Sequence, residues 1–227
     1  MKIVAISDMH GYLKDIPECD LLIIAGDISP LRIQSNTAKM LEWLEDDFMP
    51  WLERQLCQKV VLVAGNHDFI FEADGIQEEV TRIFDMYSSW FTYLENETVK
   101  IDIDDHEISI FGTPYCSMFG GWPFMYEDDL LADFFKEIPS KVDIIVSHDA
   151  PYGTSDVCSE GMAKYEGHIG NRPLAEALEN VEFKYLFHGH LHTSNHSAEK
   201  LNGGLVYNVS LLNEEYDLVY APLEIEI

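Results

Sequence analysis

Five times along this 227-residue chain, a short aliphatic run reaches a Gly or Ser and passes at once into residues that bind metals. The sequence reads Ile6-Ser7-Asp8-Met9-His10, Ala25-Gly26-Asp27, Ala64-Gly65-Asn66-His67-Asp68, Val146-Ser147-His148-Asp149 and Phe187-His188-Gly189-His190-Leu191-His192. The runs themselves, at 2–7, 20–25, 59–64, 142–147 and 184–188, are short, apolar and rich in Val and Ile, the pattern of buried strands. In α/β sheets, ligands gather in the crevice beyond the carboxyl ends of the strands. Five such ends carrying Asp, His and Asn therefore point to one shared site. A lone D-x-H or G-D arises often by chance; the ordered set of five does not.

Between these strands lie helical stripes. Met40, Leu41, Leu44, Phe48, Leu52 and Leu56 recur at steps of three and four, with Pro50 expected to kink or split the segment. Val80, Ile83, Phe84 and Tyr87 make a second stripe, Leu130, Leu131, Phe134, Phe135 and Ile138 a third, and Leu174, Ala175, Leu178 and Val181 a fourth. Core packing is sufficient to explain all four. Further strands are expected at 98–103, 107–112, 205–209 and 217–220, where no helix intervenes. Alternating βα units beside runs of adjacent strands imply an α/β architecture with two sheets. No repeat or linker divides the chain, so residues 1–227 read as one domain.

The spacing carries chemistry. In an extended segment residues i and i+2 project to the same side, so Asp8 and His10 can share an ion. His190 and His192 have the same step, although on a loop they could serve two ions. Imidazole with carboxylate suits Zn, Fe or Mn, and the lack of thiolates at these positions argues against a closed structural zinc site. The four cysteines, Cys19, Cys57, Cys116 and Cys158, form no C-x-x-C pair and read as reduced core thiols. His188 is expected to pack within its strand, Asn208 to support the ligand loops, and His106 and His196 to be exposed. His168, in a Gly-rich loop from Glu166 to Asn171, is a candidate substrate contact, as is Trp122. The aromatic stretch 115–126 reads equally as a nucleobase platform or a hydrophobic cover.

Asp8-x-His10, Gly26-Asp27, Gly65-Asn66-His67-Asp68, His148 and Gly189-His190-x-His192 together resemble the signature set of the calcineurin-like metallophosphoesterases. The resemblance implies a four-layer α/β/β/α sandwich of two mixed sheets flanked by helices, with a dinuclear metal site at the C-terminal ends of the strands. It implies one ion held by Asp8, His10, Asp27 and His192, and another by Asp27, Asn66, His148 and His190, with Asp27 bridging. It also makes His67 a catalytic residue that faces the substrate without binding metal, oriented by Asp68. Gly112-Thr113-Pro114-Tyr115, with Phe119, Trp122 and Phe124 beyond it, is similar to a branch of small members described as cyclic-nucleotide phosphodiesterase-like. That branch commonly has His-Gly-Pro-Pro where this chain has His148-Asp149-Ala150-Pro151.

Charge narrows the substrate. Lys and Arg number 14 against 41 Asp and Glu, a net charge of −27, which argues against long nucleic acid as a partner. An anionic substrate then needs a local positive centre. Two divalent ions less the charges of Asp8 and Asp27 leave about +2, which supplies it. The expected function is metal-dependent hydrolysis of small phosphate esters, foremost diesters such as nucleotides. The alternatives are phosphomonoester or phosphoprotein hydrolysis and, from another class, a binding module on the same fold. No apolar run approaches the roughly 20 residues of a membrane helix, and the N-terminus turns polar too soon for a signal peptide, so a cytoplasmic location is expected. Oligomeric state is left open.

Overall fold

Along β1 (Lys2–Ile6), Ile3 and Ala5 alternate with Val4 and Ile6, and all four are buried. A strand buried on both faces belongs to an inner layer. The computed structural model describes residues 1–158 and 167–227, and of Cys158 the backbone only. After β1 come β2 (Cys19–Ala25), β3 (Cys57–Val63), β4 (Phe91–Leu94), β5 (Glu97–Ile103) and β6 (His106–Thr113). Short strands β7 (Cys116–Ser117) and β8 (Met125–Tyr126) precede β9 (Ile144–Ser147), and β10 (Val157–Cys158) pairs with β11 (Gly167–His168). The chain continues through β12 (Tyr185–His188), β13 (Glu199–Leu201), β14 (Gly204–Asn208) and β15 (Leu223–Glu226).

Two sheets result. The first has the order β15-β1-β2-β3-β4 and the second β13-β14-β12-β9-β6-β5. β1 to β4 run parallel, as do β6, β9, β12 and β14, while β15, β5 and β13 join antiparallel. Between the sheets Ile3, Ala5, Leu21, Ile23 and Val61 share one core with Ile110, Ile144, Val146 and Phe187. The alternate residues, Val4, Ile6, Leu22 and Ile24 of the first sheet and Ile145, Leu186 and Val206 of the second, pack with helical side chains in another. The four-layer α/β/β/α sandwich follows from this period-two division.

Helix α1 (Thr37–Trp43) starts at Asn36, whose side chain accepts the Lys39 N–H. The helical run then passes through a π-helical turn, Leu44–Phe48, into α2 (Met49–Glu53). Of the kink or split expected at Pro50, the split does not occur. Pro50 sits in the first turn of α2, and the wider turn just before it accommodates a residue that has no N–H and crowds the carbonyl four residues back. α3 (Gln77–Asp85), α4 (Asp128–Phe134) and α5 (Arg172–Leu178) bury Val80 and Ile83, Leu131, and Leu174 and Leu178 respectively.

The strand expected at 217–220 does not form. Asn213 accepts the N–H groups of Glu215 and Asp217 in a local turn that competes with strand pairing, leaving only a bridge from Leu218 to Leu212. β4, β13 and β15 are present where no strand was foreseen. Among the described residues, no helix is long and apolar enough to cross a membrane.

Candidate metal centre

The expected ligands stand just beyond the C-terminal ends of five parallel strands: Asp8 and His10 after β1, Asp27 after β2, Asn66 after β3, His148 after β9, and His190 and His192 after β12. The first three strands belong to one sheet and the last two to the other, so the site bridges the sandwich. Ligand atoms of Asp8, His10 and His192 lie within 4.8 Å of one another, as do those of Asp8, Asp27 and His148. His148 Nε2 is 3.1 Å from Asn66 Oδ1 and 3.4 Å from Asp27 Oδ1. The His190 ring centroid is 5.2 Å from that of His148.

Asp8 and His10 do not meet through an extended i, i+2 step. Asp8, His10, Asp27 and His190 have φ of 52°, 40°, 55° and 66°, in the left-handed region that a non-glycine residue enters only when its surroundings hold it there. β1, β2 and β12 thus turn sharply at their ends, and the turns place these side chains at the shared sheet edge. The adjoining glycines leave room. A Cβ on Gly65 would collide with Asp27 Oδ1 and the His148 ring, one on Gly26 with His148 Nδ1, and one on Gly189 with Ser7 and Asp8.

Hydrogen bonds set the histidine tautomers. His148 Nδ1–H donates to the Ala25 carbonyl at 2.7 Å and His192 Nδ1–H to the Asn213 carbonyl at 2.9 Å, turning both Nε2 atoms toward the carboxylates. Asp8 also accepts the Ser210 hydroxyl at 2.8 Å and the His190 N–H. Both ring nitrogens of His10 are buried without any hydrogen-bond partner. Orphaned imidazole nitrogens beside buried carboxylates fit a cation as their missing partner.

The electrostatics agree. Burial lowers His10 to about 4 and His190 to about 3, so both are neutral donors. Burial would also lower His148 and His192, but the carboxylates of Asp27 and Asp8 outweigh it and raise them to about 10 and about 9. Asp8 and Asp27 are themselves held low, because those histidines overcome the effect of burial. The two buried carboxylates thus draw positive charge to the cluster, which protons on His148 and His192 can supply as well as a cation.

His67 is half-buried beside the ligands, its ring 4.8 Å from His10 and 4.6 Å from Trp122 between centroids. Its Nδ1 bonds Gln34 Oε1 at 2.9 Å, and its N–H donates to Asp27. Asp68 does not orient it. That buried carboxylate accepts the N–H groups of Asp27, Ser29 and Gly65 and the Ser29 hydroxyl, which clamps the loops after β2 and β3 together. Burial and neighbouring Asp27 raise it to about 6 against these hydrogen bonds.

A cavity of about 430 Å³ opens at the cluster, walled by His67, Trp122, Phe119, Tyr216, Asp149 and Glu214. The loop 115–126 divides its aromatics: Tyr115 and Phe124 are buried, whereas Phe119 and Trp122 line the cavity. Asp149 accepts the N–H groups of Ser117 and Ala150, tying this loop to the end of β9. His168, on β11, is not among the lining residues; it pairs with Asp156, just before β10, and its side chain is 45% exposed. Glu166, in the same loop, lies outside the described residues. Asn208 donates to the Leu191 carbonyl and Ser194 hydroxyl, supporting the ligand loop. His188 is buried within β12, its Nδ1 bonded to the Gly189 carbonyl. His106 is exposed at the start of β6, but His196 is half-buried, bonded to the His192 carbonyl and stacked on Tyr220. Gln34, Tyr216 and Cys116 were not foreseen. Gln34 and Tyr216 lacked any signal, since nothing near them in sequence marks a site; Cys116 stood in the sequence only as one of four reduced core thiols. Cys116 Sγ lies within 4.8 Å of ligand atoms of His148 and His190.

A sequence profile described as calcineurin-like phosphoesterase matches residues 1–194. Human metallophosphoesterase domain-containing protein 1 is 26% identical over 245 residues, covering 100% of this chain and 71% of that one. Probable rhamnogalacturonate lyase C of Emericella nidulans is 29% identical over 195 residues, 85% of this chain and 17% of a far longer protein. Phosphopantetheinyl hydrolase from Mycobacterium tuberculosis shares the fold, with a TM-score of 0.55 at 14% identity over 95% of this chain and 90% of that one.

Proposed function

Because the chain belongs to the calcineurin-like phosphoesterase family, we propose that it is a two-metal phosphodiesterase hydrolysing small phosphate esters such as nucleotides. The observation that carries the reading is His10, whose two unpartnered ring nitrogens are buried among carboxylates that call for cations. One ion would take Asp8, His10, Asp27 and His192, the other Asp27, Asn66, His148 and His190. Mn, Fe or Zn suits these donors. Such a pair supplies Lewis-acid clamping of phosphoryl oxygens and activation of the attacking water.

The chain's own residues supply the rest. His67 in its doubly protonated form hands a proton to the leaving oxygen from Nε2, since its Nδ1–H donates to Gln34 Oε1; burial lowers this imidazole against the pull of Asp27, which favours the step at acidic pH. Trp122, Phe119 and Tyr216 offer an apolar wall for the second ester group of a diester. No Lys or Arg lines the cavity among the described residues. A diester, with one negative charge, asks less of such a site than a doubly charged monoester. Asp149 and Glu214 at the wall reduce the positive potential further.

The test is a screen of metal-reconstituted protein against cyclic nucleotides, dinucleotides, nucleotide monoesters and phosphopeptides. Fastest turnover is expected for a diester. Faster turnover of monoesters or phosphopeptides would transfer the reading to a phosphatase, and two bound ions without any turnover to a binding module.

A further inference from the structure

At the end of the first sheet remote from the ligands, β2 and β3 begin with cysteines. Cys19 and Cys57 are register partners of this parallel pair, so their side chains leave the same face one strand apart. Neighbouring strands lie about 4.8 Å apart, inside the Cα range that a disulfide spans. The sulfur atoms are 2.7 Å from each other, nearer than unbonded sulfurs rest. Beside them is an open groove of about 610 Å³, lined by Lys2, Glu18, Asp20 and Gln58 together with both cysteines. Cys19 is buried and Cys57 half-exposed to that groove.

We propose that Cys19 and Cys57 are a redox-modification site, closed to a disulfide by exchange with a small neutral disulfide. The Cys57 sulfur attacks one sulfur of the reagent, forming a mixed disulfide and expelling one thiolate. Cys19 then attacks the Cys57 sulfur, expelling the second thiolate. Two thiol protons pass to the two leaving thiolates, so one reagent disulfide is reduced to two thiols as the protein pair is oxidised. The order follows from access, since Cys57 is half-exposed to the groove and Cys19 is buried. A neutral reagent is specified because Glu18 and Asp20 flank the groove and the chain carries −27 charges.

This site is independent of the metal centre. The experiment exposes native protein to hydroxyethyl disulfide, quenches in acid, alkylates under denaturing conditions and maps peptides without reduction. The expected product has lost two hydrogen atoms by intact mass, contains a Cys19–Cys57 linked peptide, and returns to the dithiol with dithiothreitol. Cys19→Ser should stop at a stable mercaptoethanol adduct on Cys57, while Cys57→Ser should leave Cys19 alkylatable. Full alkylation of both thiols in treated wild type, a persistent adduct on wild-type Cys57, or a bridge to another cysteine would overturn the proposal. The mass measurements on wild type hold whether or not the variants fold.

Discussion

Gln34 lies 33 positions from His67 in sequence, yet it holds the imidazole whose role in proton transfer is proposed. If His67 only protonates the leaving oxygen, His67→Ala should keep both metals. Its cost should then follow the leaving group: small for an aryl ester, whose phenolate hardly needs a proton, and about 10²–10⁴-fold for an alkyl or ribose ester. Gln34→Leu should repeat the pattern at roughly tenfold, the scale of one lost hydrogen bond. Equal slowing of aryl and alkyl esters in the two variants would make His67 a binder of phosphoryl oxygens instead. The bridging role proposed for Asp27 has its own reading in metal content. Asp27→Asn should lower both ions by elemental analysis and His10→Ala mainly one; unchanged content in Asp27→Asn would remove the bridge.

At the scale of elements, legibility depended on distance along the chain. The five strands that end at the proposed ligands could be read because each apolar run and its polar end are contiguous, and the helical stripes because their period is local. The left-handed turns at Asp8, His10, Asp27 and His190 could not, since backbone reversal is imposed by packing across the sheet edge. Tyr216, whose ring stands 5.0 Å from His10, arrives through the Asn213 turn that displaced the expected strand. Asp68 shows the same limit: its neighbour in sequence is His67, but its partners lie mainly on the loop after β2. Removing a buried carboxylate that holds several backbone donors should cost about 3 kcal/mol. Asp68→Ala should therefore lower the urea midpoint strongly, and wild-type stability in that variant would contradict the clamp. Asp143, just before β9, is a second clamp, accepting the N–H and hydroxyl of Ser109 beside Lys184. Partial burial alone would raise it, but Lys184 and Ser109 prevail and hold it at about 2. Its folded value lies below the unfolded one of about 3.9, so its contribution is present above pH 4 and lost as pH falls toward 2. Asp143→Asn should remove that part of the acid sensitivity; identical stability profiles for wild type and variant between pH 4 and 2 would contradict it.

For the whole molecule, the governing quantity is the contrast between a surface of −27 and a small site that attracts cations. A short diester approaching the cavity meets the repulsive surface over little more than its own length, and at close range the proposed ions would dominate. Long single-stranded DNA must lay many phosphates along acidic surface before one reaches the centre, and no Lys or Arg among the described lining residues offsets this. The repulsion is long-ranged, whereas the attraction is confined to a few ångströms. Salt separates them: the Debye length is about 30 Å at 0.01 M and about 8 Å at 0.15 M, so added salt screens the approach far more than the contact. The ratio of short-diester to long-DNA turnover should therefore be largest at low ionic strength and fall as salt rises, chiefly because DNA cleavage speeds up. Steady-state rates on a dinucleotide and a long oligonucleotide across that salt range provide the measurement. Efficient cleavage of the long strand at 0.01 M salt, slowing as salt is added, would mean that an attractive track for polyanions exists and that net charge does not select the substrate.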